Sequence, residues 1–554
     1  MDGSAALILR PPGTVMRLAR MGTFHATRLS FLRVLLRRLG EDGWTADRPV
    51  WELNEQGVGH AVYRVALGSR SYSLVAFAHD LPDHLRSDRV IAEAWDATFT
   101  LFDGTPTADD IERLSTQVPL QEAGRMSGRE LTLSRANRSV RLFNGVVDAL
   151  ANGRQPSPEA LSRVGYLMRT TAVYGGAKFG LADREVICDR PEVSGPFQAE
   201  MLTVWLIRAF TTDLADHMAK CKGGGKAVSL APHLRRRLGV GNATGLGMAP
   251  FLLNHPALIH KWMTARETAL ARVRNTPMTG PALDVARNLV SRLLAHVAAW
   301  QTDDQRQTAA NQRLLHDLSE VEGRLAAIDG VDDWDAVWRW GERTLSVEGQ
   351  EALVSILLEP HGAEVDDLAE DMAADEAAVF TIDGQRTTGD LAEWVRNHYG
   401  WALDIDWSEQ GSQAWVWYVS EEKLEPRLGE REAEPLEAYE QPLAPARDIT
   451  ILYRDLVEWP EAAPLAQFLA SHDRHRHVVR RCQIVMENPY AEIHDNTVGV
   501  EMLPIDLLRA KLSFFGATGF DPKSDRWVRV TLFQDAPYPD ESDLWASDDW
   551  MWRT

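Results

Sequence analysis

A chain of 554 residues with 45% hydrophobic and 25% charged side chains has ordinary globular composition. It is long enough for roughly two to four core-sized units. Its 80 acidic against 59 basic side chains leave a net charge of -21, which repels phosphate backbones and anionic bilayers, so neither nucleic acid nor a membrane is expected as a partner. The three cysteines, Cys188, Cys221 and Cys482, form no CxxC pair, which argues against a disulfide framework or a cysteine-based metal site and fits a cytoplasmic setting. No apolar run approaches the roughly 18 residues of a membrane span, and no signal-peptide pattern opens the chain.

Residues 1–40 depart from the acidic average, with seven arginines (Arg10, Arg17, Arg20, Arg28, Arg33, Arg37 and Arg38) against Asp2 alone. Leu29, Leu32, Leu36 and Leu39 make a helical stripe within this segment, so it is expected to belong to the fold and to dock on the acidic body rather than to act as a transit peptide. After it, residues 50–53, 59–67, 71–80 and 89–102 show strand-like alternation, separated by turns at 54–57 and 68–70. Short connections imply an antiparallel meander.

From about residue 108 the period turns helical. Ser157 and Pro158 open a pattern with Leu161, Val164, Met168 and Ala172 on one face, predicting one helix that ends at Gly175. Residues 195–220 read as a helix that is apolar on nearly every face from Met201 to Phe210, which suggests a place inside a bundle. Leu314, Leu318, Val321, Leu325 and Ile328 are spaced as a two-helix seam, which leaves a homodimer open. The acidic stretch 364–376 is expected to be an exposed helix or linker. Beyond it, residues 401–407 and 414–420 suggest a hairpin, 449–459, 477–488 and 504–515 are helical in spacing, and 526–533 is a late strand.

The fold class expected is therefore α+β and predominantly helical, with a small N-terminal antiparallel sheet, a helical middle and a C-terminal α+β region. The regions expected are 1–105, 106–362 and 377–554.

Among the motifs, GVGNATGLG (239–247) has Thr244 where a dinucleotide-binding loop needs glycine, and CKGGGKAV (221–228) lacks the first glycine and the metal-binding hydroxyl of a P-loop. Glycines that admit backbone N–H groups near the helix-opening prolines Pro250 and Pro256 still outline an anion site. Lys226, Gly241, Asn242, Thr244 and Gly245 are its expected binding residues, and His255 follows closely. Arg138 and Arg141, expected at the start of a helix, could grip a carboxylate together. Lys178, flanked by Gly175, Gly176 and Gly180, is a candidate base, and His494 in NPYAEIHDN is another proton carrier. His472–His477 and the Asp213/His217 pair read as solvated surface, and no metal or cofactor signature is present.

These features point to a cytoplasmic enzyme that acts on a small anionic metabolite, a carboxylate or phosphate, by cofactor-independent proton transfer of lyase, isomerase or hydrolase type. Lys178, His255 and His494 are its candidate catalytic residues. The alternative is a non-catalytic assembly or regulatory protein that binds a partner through the helical seam and tryptophan-rich surfaces.

Overall fold

The structure is a computed structural model. It describes residues 8–20, 22–23, 27–86, 94–119, 127–175, 187, 189–195, 197–245, 256–299, 305–329, 332–372, 386–407, 445–476, 478–479, 482, 509, 513, 516, 519–520, 527–547 and 550–551. The chain divides into two compact units interleaved in sequence: His25–Gly245 with Phe514–Thr554, and Met1–Phe24 with Leu246–Ser513. Three consecutive regions were the expectation from sequence.

In the first unit, the Asn54 side chain accepts the backbone N–H groups of Gln56 and Val58, and Gly57 takes a φ of 75°, which closes the hairpin between β1 (Thr45–Leu53) and β2 (Gly59–Leu67). Strands β3 (Arg70–Ala78) and β4 (Ala97–Asp103) continue the antiparallel meander. Helix α1 (Phe31–Glu41) precedes it with Leu32, Leu36 and Leu39 buried. Helix α2 (Ala108–Gln117) follows, opened by a capping box between Thr107 and Asp110. Its Leu114 packs with Val62, Val75, Phe77, Phe102 and Leu133 in a core on one face of the sheet.

The stretch expected to be wholly helical supplies three further strands, β5 (Glu130–Arg138), β6 (Tyr166–Gly175) and β7 (Gly239–Gly245). With the late strands β8 (Gly519–Phe520) and β9 (Trp527–Leu532), the described residues form a nine-stranded sheet in the order β1-β2-β3-β4-β5-β6-β7-β9-β8. The α+β class stands, but the sheet is not small. The helix expected over 157–175 is corrected to two elements, because α4 (Pro158–Val164) is stopped by Gly165 at a φ of 76°. The aromatic and β-branched run Tyr166–Tyr174 then enters β6, where alternate residues fit a strand as readily as they had fitted a helix face. Helix α3 (Phe143–Ala151) lies between β5 and α4.

The apolar helix α5 (Gln198–Gly223) lies across the sheet rather than inside a helical bundle, touching β2 to β7 as well as α1 and α3. Neighbours on several sides account for its all-round hydrophobicity.

The glycine-rich run expected as a loop is also corrected: β7 is an interior strand, parallel to β6 and antiparallel to β9. A Cβ on Gly239 would stand 2.3 Å from the carbonyl oxygen of Leu532, and one on Gly241 would stand 2.7 Å from the ring of Tyr166. Glycine is needed here for space. Gly241→Ala is expected to destabilise the protein by about 1–3 kcal/mol, read as a lower midpoint of urea unfolding with an unchanged slope.

In the second unit, α6 (Pro256–Arg274), α7 (Gly280–Ala298), α8 (Gln305–Ala326), α9 (Trp334–Thr344) and α10 (Val347–Leu358) pack together. The seam Leu314, Leu318, Val321, Leu325 and Ile328 is buried within the chain, with α8 against α7. The acidic stretch is no bare linker over its described part, because 362–372 is helical and buries Val365 and Leu368. Residues 373–376 lie outside the described residues. Trp401 to Leu403, expected in a hairpin, close α11 (Thr388–Leu403), while 414–420 lie outside the described residues. Helix α12 (Pro445–Val457) agrees with its expected spacing. It packs with α11 in a core containing Leu391, Trp394, Tyr399, Leu452 and Phe468.

On α6, His260 stacks on Trp401 with ring centroids 4.5 Å apart, and burial pushes its imidazole down from 6.5 to about 4. The fold holds this ring neutral while the unfolded chain protonates it freely, so its stabilising contribution is present above pH 6.5 and lost as pH falls toward 4. His260→Phe is expected to flatten that loss by about 2 kcal/mol, measured by urea unfolding at pH 7 and pH 4.5.

Candidate functional site

Polar side chains collect at one end of the sheet, where β3, β4, β5, β6 and β7 run side by side. The register places Ala78 opposite Ala97, Ala97 opposite Ala136, and Ala136 opposite Thr170, with His79, Asp96, Asn137 and Arg169 next to that row. Directly opposed residues share a face, so Thr98 and Arg135 lie together, as do Asn137, Arg169 and Gly241. Arg135 and Asn137 are two apart in β5, which puts both groups on the same face.

Asp96 is the hub of this end. Its Oδ1 accepts Nε of Arg86 at 2.8 Å, its Oδ2 accepts the backbone N–H of Arg138 at 2.9 Å, and its carbonyl oxygen accepts the N–H of His79 at 2.8 Å. Its own N–H donates to Oδ1 of Asn137 at 2.8 Å. The Nε2 of His79 meets Oγ1 of Thr98 at 2.9 Å. Burial lowers the imidazole of His79 from its ordinary range, against the opposing pull of Asp96, which favours a neutral ring able to take a proton.

The arginines are less well supplied. Arg138 is buried, its Nε lies 3.7 Å from Asp96, and its guanidinium sits over the ring of Phe143 at 4.9 Å. Burial lowers its pKa most, Asp96 and Asp80 raise it and Arg86 lowers it, and burial prevails. Arg135 lies over Trp95 at 4.5 Å. Among the described residues, Nε of Arg135, Nε of Arg138 and Oγ of Ser139 are buried with no hydrogen-bond acceptor or donor to meet them. Orphaned buried donors are uncommon in a finished fold.

No family model, curated protein or solved structure matches this chain.

The residues singled out from sequence are distributed unevenly. Arg138 belongs to this end of the sheet, Gly241 stands opposite Arg169, and Asn242 stands opposite Thr170. Thr244 and Gly245 lie further along β7, opposite Val528 and Trp527. Lys226 is exposed in the turn after α5, beside Gly153 at the end of α3, and so belongs to a different part of the unit. Lys178, His255 and His494 lie outside the described residues. The expected helical pair of Arg138 and Arg141 is corrected, because Arg138 ends β5 and α3 begins only at Phe143.

His79, Asp96, Trp95 and Arg169 were missed, although LVAFAHD and AWDATF carry a visible signal: polar groups at the mouths of apolar strands. Two surface expectations also change. Asp473, Arg474 and Arg476 are exposed as expected, but His475 between them is buried and bonds Asp455 at 2.6 Å, and Asp213 accepts Tyr63 at 2.7 Å and Arg48 at 2.6 Å rather than pairing with His217. Of the thiols, Cys221 approaches His217 at 3.7 Å, but Nε2 of that ring meets the carbonyl of Asn54 at 2.8 Å and Nδ1 meets the indole N–H of Trp51 at 3.4 Å, so no acceptor is left for the thiol proton.

Asp96→Ala leaves Arg86 and Arg138 without their shared carboxylate, and a cost of about 3–5 kcal/mol is expected in urea unfolding at pH 7. A loss below about 1 kcal/mol would remove Asp96 from its place as the hub.

Proposed function

We propose that the polar end of the sheet binds a small carboxylate- or phosphate-bearing metabolite, and that the chain is an enzyme acting on it by proton transfer. The supporting observation is the buried Nε of Arg135 without an acceptor, on the sheet face that also carries Thr98 and Asn137, with a second such donor on Arg138 at the end of the same strand, in a chain whose overall charge is -21. An anionic group would give those donors an acceptor. Thr98 and Asn137 share the face of Arg135, and His79, bonded to Thr98 and held toward its neutral form, is the described group best suited to carry the proton. Lys178, His255 and His494 stay as sequence-based candidates for the same role. Lyase, isomerase and hydrolase steps each fit a site of this composition, in a cytoplasmic setting. The partner-binding alternative loses its main support, because the seam from Leu314 to Ile328 is buried inside the chain.

A panel of small carboxylates and phosphates is expected to contain at least one compound that raises the melting temperature of the intact protein. At about a hundred times its dissociation constant such a ligand adds roughly 2.7 kcal/mol. Arg135→Gln should keep the unliganded melting temperature within a few degrees while losing most of that ligand-induced shift. An identical shift in Arg135→Gln, or no shift by any anion in the wild type, would reject the site.

A further inference from the structure

In the unit formed by residues 1–24 and 246–513, the guanidinium of Arg10 is held on two sides by carboxylates. Its Nε and Nη2 donate to the two oxygens of Glu267 at 2.8 and 2.7 Å, and Nη1 donates to Oε1 of Glu351 at 2.8 Å. The indole of Trp338 lies under the same cation at 5.0 Å. Glu267 comes from α6, Trp338 from α9 and Glu351 from α10, so three packed helices build the pocket. Two carboxylates and an aromatic face are what a planar guanidinium requires and an ammonium cannot fully use.

The segment that carries Arg10 is attached differently. Val15 and Met16 are buried, whereas Ile8 is 77% exposed and Leu9 is 38% exposed. Pro11 and Pro12 separate the anchored part from the arginine. Arg10 therefore enters the pocket as a side chain on a loosely packed arm. Glu351 is also held by Arg266 at 2.7 Å and Arg20 at 3.0 Å. Burial alone would push its carboxyl up, yet Arg10, Arg266 and Arg20 bring it down to about 2. Withdrawal of Arg10 would leave Glu351 charged and partnered, and Glu267 buried and open to another cation.

We propose that Glu267, Glu351 and Trp338 form a receptor for an arginine side chain, and that Arg10 is its tethered occupant, displaceable by an arginine presented on another peptide. The arm then acts as a plug that competes with the incoming arginine. This inference is independent of the anion site at the end of the sheet.

The test uses the full chain with Arg10→Ala, melted in the presence of increasing methylguanidinium, N-acetylarginine methylamide or methylammonium at concentrations far below denaturing. Arg10→Ala is expected to melt below the wild type and to recover saturably with both guanidinium compounds. Methylammonium, with equal charge and no planar fork, should leave it unchanged, and Arg10→Ala combined with Glu267→Gln should not recover. The wild type should respond only at higher probe concentrations, because Arg10 competes. If Arg10→Ala does not fold, Arg10→Lys keeps a cation at the pocket and enters the same titration with the same expected outcomes. Absence of saturable recovery, equal recovery with methylammonium, or recovery retained in the double variant would each overturn the proposal.

Discussion

The sheet depends on one steric constraint, the lack of room for side chains on the early part of β7. Its Gly239 faces the backbone of Leu532 and its Gly241 faces the ring of Tyr166, at distances no Cβ could occupy without movement. This strand joins two halves of the sheet that are made differently. Toward β6 the pairing is parallel, which requires a crossover, and α5 lies within that crossover. Toward β9 the pairing is antiparallel, with a strand from the far end of the sequence. Between β7 and β8 the chain builds most of the other unit, so the pairing that completes the sheet spans a long separation in sequence. Close packing at the glycines makes that distant pairing specific.

Arginine carries much of the remaining architecture, despite the acidic composition. Arg208 is buried on α5 and donates to the carbonyl oxygens of Leu238 at 2.6 Å, Ala536 at 2.6 Å and Arg236 at 2.9 Å. It thereby ties the approach to β7 to the segment after β9. Tyr538 lies between Arg208 and Arg235, each 3.8 Å from its ring. A guanidinium suits such places because its donors are fixed in a plane and its faces tolerate aromatic carbon. The basic bias of residues 1–40 has the same explanation, with Arg10 and Arg20 on buried carboxylates and Arg33 and Arg37 buried in α1.

Local patterning made the meander legible, because alternation and short turns act within a few residues. The same holds for α1, α8 and α12, whose apolar spacing has one reading. Sequence failed where two periods coincide: Met168 and Ala172 fit a helix face and a strand equally, and only Gly165 at positive φ divides α4 from β6. It failed again at β7, where glycines that signal a turn locally are required by neighbours remote in sequence. Arg138 and Gly241 were legible as residues of interest, but Arg138 was expected on a helix. Asp96 and His79 were not found: their places at the mouths of apolar strands show in the sequence, but the hub that links three strands has no local spacing.

The buried arginines of the sheet unit differ in their supply of acceptors. Arg208 has a carbonyl for Nε and for each terminal nitrogen, so a ligand would have to displace bonds already made. Arg135 and Arg138 have aromatic rings beneath them and a nearby aspartate shared with Arg86, yet each keeps a buried Nε without an acceptor among the described residues. Leaving such donors unmet costs roughly 1–3 kcal/mol each. On the proposed reading that cost would be returned as affinity for an anion, and His79, bonded to Thr98 and held toward its neutral form, would be the group that exchanges a proton with it.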